Sequence, residues 1–409
     1  MPLPAGFRAL EIRDYRVYYA GTWVSQICNW MQTVTQSWLV LELTSSPFLL
    51  GLIATLQFGP ILLFSVFAGI LADRVTKRNV LILTQAVQSA LALTLGLLVW
   101  SGHARYWTVA VMAVMWGIMS ALDQPTRQSF IIELVGRQHL ASAVGMNSAS
   151  FNSARIVGPA VAGLLIARFG LPQAFLFNAV SFLSVIIALG AVRTAGDPQP
   201  ATGATILEQI SGGLQYAAAT PLIRFILSLL VSVSFFVINF NVLIPLIAKH
   251  VLHGGAEDFG WLMASLGAGA IMGALTLAML VTGRPPLALP VTAAFVVSAG
   301  TLALAGVGRF APAVALLLVV GFSQIVFQAT CNTMLQITAP DGLRGRVMSL
   351  YAVTFAGITP FGSLVVGWVA ENFGTWAACA LGGGAGLLSV AILTTLWRPR
   401  RREHTPIRD

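Results

Sequence analysis

Charge is scarce in this chain. Of 409 residues, 9% are Asp, Glu, Lys or Arg, while 57% are hydrophobic. Soluble domains carry about 25% charged residues, so a water-borne globule is excluded and each retained charge needs a reason. Cysteine is scarcer still. Cys28, Cys331 and Cys379 lie in apolar runs, and three buried thiols make no disulfide framework. Four of the five His fall outside those runs, His139 stands at the inner end of one, and His250 and His253 have no further ligand nearby. There is no His-Glu-x-x-His, no phosphate-binding Gly-x-x-x-x-Gly-Lys-Ser/Thr run and no cluster of carboxylates. These absences argue against an enzyme and against a metal site.

Long apolar runs are abundant. Twelve occur, at about 15–41, 46–72, 79–101, 106–127, 138–167, 172–193, 220–248, 257–282, 286–308, 311–336, 344–371 and 375–397. Each is long enough to cross roughly 30 Å of hydrocarbon as a helix. The runs are continuous rather than alternating, which favours helices over barrel strands. The expected fold class is an all-α integral membrane protein. The first run is too long and Trp-rich for a cleaved signal.

The net charge of +9 does not point to nucleic acid. With the N-terminus cytoplasmic and an even number of spans, 18 of the 23 Lys and Arg fall on the inside. That distribution follows the positive-inside rule. The basic charge orients the chain and meets the lipid bilayer, and both termini are expected in the cytoplasm.

The least hydrophobic connector, residues 194–219, starts with a breaker-rich stretch, Asp197-Pro198-Gln199-Pro200. It continues through Ile206 to Ile210 as an expected amphipathic helix on the membrane surface. This divides the chain into a six-helix bundle over 1–193, a linker over 194–219, and a second bundle with a basic tail over 220–409. A shift of 204 residues lays part of one bundle on the other, with nine identities over 54 ungapped positions. They include Gly117 on Gly321, Gly158 on Gly362, Gly163 on Gly367 and Phe169-Gly170 on Phe373-Gly374. Two parallel six-span repeats with a site between them describe one known transporter build.

Charge reappears at Gly69-Ile70-Leu71-Ala72-Asp73-Arg74-Val75-Thr76-Lys77-Arg78. This stretch resembles the loop between spans two and three of the major facilitator superfamily. Gly158-Pro159-x-x-x-Gly163 resembles a shortened form of that superfamily's span-five signature. Phe7-Arg8-Ala9-Leu10 through Trp30-Met31-Gln32, Trp38 through Thr44, and Asp123-Gln124-Pro125-Thr126-Arg127 are similar to one branch, the enterobactin-exporter and macrolide-efflux-like proteins. The resemblance implies a twelve-span antiporter with two pseudo-symmetric bundles, working by alternating access. It implies a proton gradient as energy source and no other cofactor. The expected partners are a small-molecule substrate and the bilayer, with no nucleic acid, and the chain is expected to be a monomer. The cargo would be a drug-like compound or a secreted metabolite such as a siderophore. Import, or carriage of a lysophospholipid, is the alternative within the superfamily.

A carboxylate at membrane depth is costly unless paired. Asp73 has Arg74, Lys77 and Arg78 beside it, and can meet the N-terminal end of span eleven near Gly342-Leu343-Arg344, where the helix dipole favours an anion. Gly69, Asp73, Arg74, Lys77 and Arg78, with Asp123 and Arg127 on the same side, form the expected cytoplasmic gate. In the 204-residue register Asp73 falls on Leu277 and Asp123 on Phe327, so the lock has no second copy. Asp123 is also the one acid deep enough to carry a proton, Glu42 near the outer mouth is the other candidate, and in a third reading protons bind with the substrate or are not used.

Arg155 lies midway along span five, where a guanidinium costs at least about 2.5 kcal/mol. It must face protein or a wet cavity. It either binds an anionic group of the substrate or caps neighbouring polar groups beside Pro159. Asn152 shares its polar stripe. Further cavity candidates are Ser25, Asn29, Gln32 and Gln36 on span one, Asn239 and Asn241 on span seven, and Gln324 and Gln328 on span ten. Gly158, Pro159, Gly163, Gly362 and Gly367 are expected to be close-packing points between helices.

Overall fold

The computed structural model describes residues 4–196, 214–280 and 283–397. Within them, side chains at 5, 62, 65–74, 137, 141, 152, 156, 167, 341–342, 344–345, 349, 352 and 355–356 fall outside the description. The expectations for the side chains of Asp73, Arg74 and Asn152, for the amphipathic helix at 206–210 and for the basic tail therefore lie outside the described residues.

The described chain is helical from end to end. α1 (Arg13–Thr44), α2 (Pro47–Arg74) and α3 (Lys77–Trp100) are followed by one long element, α4 (Tyr106–Phe169). Gly136, with φ 65° and ψ 174°, breaks α4 into two spans, Tyr106–Gly136 and Gln138–Ile166. A positive φ is open to glycine without steric cost. α5 (Leu171–Ala191) completes the first half.

In the second half, α6 (Pro221–Phe236) and α7 (Phe240–Leu246) run into a π-helical turn at Ile247–Val251. α8 (Ala256–Leu280), α9 (Ala288–Leu304) and α10 (Phe310–Thr338) come next. α11 (Asp341–Ala352) passes through a π turn at Val353–Gly357 into α12 (Ile358–Phe373), and α13 (Thr375–Leu396) ends the described chain.

Eight segments are long and apolar enough to cross a membrane, and Pro47–Ile61 and Ala288–Leu304 are shorter apolar helices. Large exposed apolar side chains such as Trp107, Ile187, Met279 and Leu388 are oriented for acyl chains. Such a surface is stable only in lipid.

Turns at the two ends alternate. The ends of α2 and α5 and the starts of α1 and α3 share a basic face with the break at Gly136, while the turn at Ser45 and Ser46 lies on the opposite face. α2 begins with N-cap Ser46, whose hydroxyl accepts the Leu49 N–H at 3.2 Å, and with Pro47 in the first turn. Both choices suit a helix start.

The 204-residue repeat has a geometric counterpart. Gly117 of α4 packs on the Gln57 carbonyl of α2, and Gly321 of α10 on the Leu266 carbonyl of α8. Gly158 meets Trp30 and the Ile27 carbonyl of α1, whereas Gly362 meets the Phe235 carbonyl of α6. Gly163 meets Gly260 of α8, and Gly367 meets Pro47 and Gly51 of α2. Each pair touches helices that are themselves related by the repeat. A methyl group at any of these positions would collide with a neighbour, so glycine sets how closely the helices approach. Gly170 and Gly374, at φ 90° and 87°, make the same turn in each half.

Candidate functional site

Several described charges of the basic face are bonded within the first half and the residues that follow it. Lys77 is 1% exposed and its ammonium lies 2.6 Å from the Glu133 carboxylate of α4. Arg78 donates to the Val192 carbonyl at 3.2 Å. The N–H groups of Lys77 and Arg78, at the start of α3, donate to the carbonyls of Gly196 and Ala195 at 3.0 and 3.1 Å. Asp14, ahead of the apolar part of α1, accepts from the N–H groups of Arg193 and Thr194 at 2.9 and 3.1 Å. Burial pushes that carboxyl up, but these bonds, the Thr194 hydroxyl and the nearby Arg13 together hold it below its ordinary value.

Asp123 is 7% exposed and fully occupied. One oxygen accepts from the Thr84 hydroxyl at 3.0 Å and the Gln85 amide at 2.7 Å. The other accepts from Arg127 Nε at 2.9 Å, with a second guanidinium nitrogen at 2.8 Å. Arg127 also donates to the Tyr18 hydroxyl at 3.1 Å. Gln88 extends the network to Ser120 at 3.2 Å. The pair at i and i+4 ties α4 to α1 and α3. These contacts of Lys77, Arg78, Asp123 and Arg127 lie within the first half and the residues just after it, while the cytoplasmic gate expected of them also involves side chains outside the described residues.

The span-one stripe, expected to line the cavity, is hydrogen-bonded to neighbouring helices. Asn178 of α5 donates to Asn29 at 3.2 Å and to Gln32 at 2.7 Å, and the hydroxyls of Ser181 and Ser25 approach to 3.5 Å. Gln36 donates to Gln57 of α2 at 3.4 Å. In the second half the Asn239 side chain, at the break between α6 and α7, donates to the Phe235 carbonyl at 2.8 Å. It accepts from the Ser363 hydroxyl of α12 at 3.0 Å. An amide in an apolar medium must find a partner, and here the partner is the neighbouring helix. Asn241 and Gln324 are half-buried. Gln328 is buried and its Nε2 carries no hydrogen bond.

Arg155 is placed differently. It is half-buried on the second span of α4 and interacts electrostatically with Tyr351 of α11, in the other half. The Tyr351 hydroxyl is hydrogen-bonded by Asn332 of α10. A cation of one half and a phenol and an amide of the other thus share one site between the two bundles. Neither Tyr351 nor Asn178 is marked by its sequence context; each is one polar residue in an apolar run.

The face opposite the basic one is closed above this site. Gly163 and Gly260 bring α4 and α8 into backbone contact, and Gly51 and Gly367 do the same for α2 and α12. Trp38 stacks on Phe259 with ring centroids 5.0 Å apart, and the Thr55 hydroxyl donates to the Pro360 carbonyl at 2.9 Å.

A polytopic helical protein with two repeated halves and a polar site between them is a membrane transporter of the major facilitator fold. Solved structures agree on the fold. A bacterial homologue of the human lysosomal transporter Spinster matches with TM-score 0.69 at 14% identity, covering 96% of this chain and 95% of that one. A D-xylose–proton symporter matches with TM-score 0.71 at 14% identity, covering 92% and 97%.

A family model described as transmembrane secretion effector matches residues 5–406, and the chain belongs to that family of major facilitator transporters. It is a multi-pass membrane transporter and not an enzyme. Relatives include the staphyloferrin A transporter of Staphylococcus aureus, 27% identical over 88% of this chain and 90% of the relative. The multidrug efflux pump Tap of Mycolicibacterium fortuitum is 27% identical over 85% and 87%. The enterobactin exporter EntS of Shigella boydii is 25% identical over 96% and 94%.

Proposed function

We propose that this protein exports a small amphipathic molecule, a drug-like compound or a secreted metabolite of the siderophore kind, by alternating access across the cytoplasmic membrane. The basic face is cytoplasmic in this reading, supported by the Lys and Arg distribution. Twelve crossings then leave both termini inside. The family and the export activities named for two relatives, the efflux pump Tap and the enterobactin exporter EntS, support the direction.

The observation that carries the proposal is the placement of Arg155. A guanidinium in a membrane span is retained where it faces a polar or wet interior. This one sits between the halves beside Tyr351, below a closed opposite face. In this reading, with the opposite face shut, cargo reaches the site from the cytoplasm. Arg155 then selects cargo that carries an anionic group, because a cationic one would meet a like charge in a medium of low dielectric.

Coupling to protons belongs to the same proposal and rests on the family. Asp123 is a poor carrier, since four donor contacts fill its oxygens. Glu42 accepts from the Trp38 indole at 2.8 Å and is the better candidate. Substrate-driven proton flux in proteoliposomes after a pH jump tests the coupling, and an absence of flux rejects it.

The test of cargo uses cells lacking their own exporters, loaded with a citrate-type chelator or with a cationic dye. The wild-type protein is expected to lower accumulation of the anionic probe. Arg155→Ala should lose most of that effect, roughly tenfold for an interaction of about 1.4 kcal/mol. Unchanged export of the anion by a well-expressed Arg155→Ala protein refutes the role of Arg155.

A further inference from the structure

The closed face carries two charges that cross between the halves, and both meet one turn. Lys249, in the π turn after α7, donates to the Leu41 carbonyl at 2.6 Å and to the Ser45 hydroxyl at 3.3 Å. Leu41 is in the last turn of α1, and its carbonyl also accepts the Ser45 N–H at 3.0 Å. Glu371, at the end of α12, accepts from the Ser46 hydroxyl at 2.8 Å and from the Phe48 N–H at 3.2 Å. Ser46 is the N-cap of α2. A cation from the second half therefore sits on the C-terminus of α1, and an anion from the second half sits on the N-terminus of α2.

Each sign matches the helix end it meets. The C-terminus of a helix has negative partial charge and unpaired carbonyls; its N-terminus has positive partial charge and unpaired N–H groups. Glu371 supplies an acceptor for the Phe48 N–H that lies outside α2 altogether, so the helix is partly capped by the other half. Ser45 bridges the two ends in a left-handed conformation, φ 51°. Lys249 and Leu41 are also 208 residues apart, the offset that the paired contacts of Gly158 with Ile27 and of Gly362 with Phe235 set for the first span of each half. A residue touching its own counterpart lies next to the axis that relates the halves, where hinge motion opens the face on either side.

We infer that Lys249 and Glu371 form a two-charge clamp on the turn between the first two spans, holding the outer face shut until cargo is released outward. This inference rests on the alternating-access reading and on the basic face being cytoplasmic. The glycine contacts bring the helices together, but they are apolar and gain nothing from a particular register of charge. The clamp adds bonds that exist in the closed form and are lost once the halves separate, so it biases the equilibrium rather than the fold. His250, next to Lys249, interacts electrostatically with Glu371. The clamp groups lie at a membrane surface, where a charge–dipole contact is worth a few-fold in an equilibrium, not orders of magnitude.

The test reads the distance between the halves on the outer face without any substrate. Spin labels go at positions 103 and 309, exposed sites in opposite halves, in protein reconstituted in lipid nanodiscs. The unaltered clamp should give mainly the short distance. Glu371→Gln and Lys249→Met should each move the closed-to-open ratio by about two- to fivefold. The double variant should move it further, and Lys249→Glu further than Lys249→Met because it places an anion at the C-terminus of α1. Lys249→Arg should stay near wild type. Distance distributions unchanged in the double variant, with its melting transition intact, overturn the clamp. If the distances shift while no probe is exported, the clamp stands and the export reading fails.

Discussion

Asp123 and Glu371 are carboxylates put to opposite uses. Asp123 is buried, and all of its partners (Thr84, Gln85 and Arg127) come from its own half. Glu371 is exposed, and its partners, Ser46 and Phe48, come from the other half. Removing water from Asp123 makes its network strong and makes breaking it costly, so the network behaves as part of one rigid body. Water around Glu371 weakens its bonds, which suits a contact that must break in every transport cycle. Which body owns the partners, rather than how deep the charge lies, separates a brace from a latch.

The comparison breaks most sharply at Asp123. Asp123→Ala leaves the half-buried Arg127 guanidinium without its counter-ion. A loss of about 3–5 kcal/mol is expected for such an orphaned charge, read as a lower melting transition in detergent or as failure to accumulate. Adding Arg127→Met to Asp123→Ala should restore part of the loss, and the non-additivity measures the pair. If Asp123 instead moves between halves, Asp123→Asn would change transport while leaving stability alone.

Next in size is Gly163. Its backbone touches Gly260 across the halves, whereas Gly158, one helical turn and a half earlier, touches α1 within its own half. Gly163→Val should fold and bind, yet fail to close the outer face, with export reduced at least about tenfold and the outer-face distance lengthened. Gly158→Val overpacks a fixed contact and should cost about 1–3 kcal/mol of stability. Equal effects of the two on stability would remove the distinction between fixed and moving contacts.

Much of this was legible in the sequence. Hydrophobic run length marked most of the helices, and the glycines shared at an offset of 204 fall where equivalent helices touch. Arg155 stood out because a lone cation in an apolar run has few places to go. Helical period puts Ser25, Asn29, Gln32 and Gln36 on one stripe, but it tells which residues share a face and not which neighbour that face meets. Asn178 and Ser181, spaced i and i+3 on α5, were the missing half of the span-one stripe. Lys249 and Glu371 look like ordinary loop charges. Their partners lie 208 and 325 residues away, and no local pattern encodes a contact at that separation. For Asp123 the sequence left gate partner and proton carrier open; Arg127 at i+4 fills the carboxylate within one half.

The smallest expected effect is at Asp14, and it sharpens the contrast by adding pH. Its carboxylate holds the N–H groups of Arg193 and Thr194, fastening the chain after α5 to the start of α1. Those bonds favour the ionised form and hold the folded-state pKa below the ordinary value. A depressed carboxylate pKa contributes stability above the unfolded value, near about 3.9 for Asp, and that contribution disappears as pH falls through the lower, folded value. Asp14→Asn should therefore be slightly less stable than wild type at neutral pH, and the difference should vanish on acidification below about pH 4. Melting transitions of both proteins across that range measure it. A difference that persisted at acid pH would mean that Asp14 acts through the shape of its hydrogen bonds rather than its charge, and would place it with Asn178 and Ser181 among the neutral bridges of the first half.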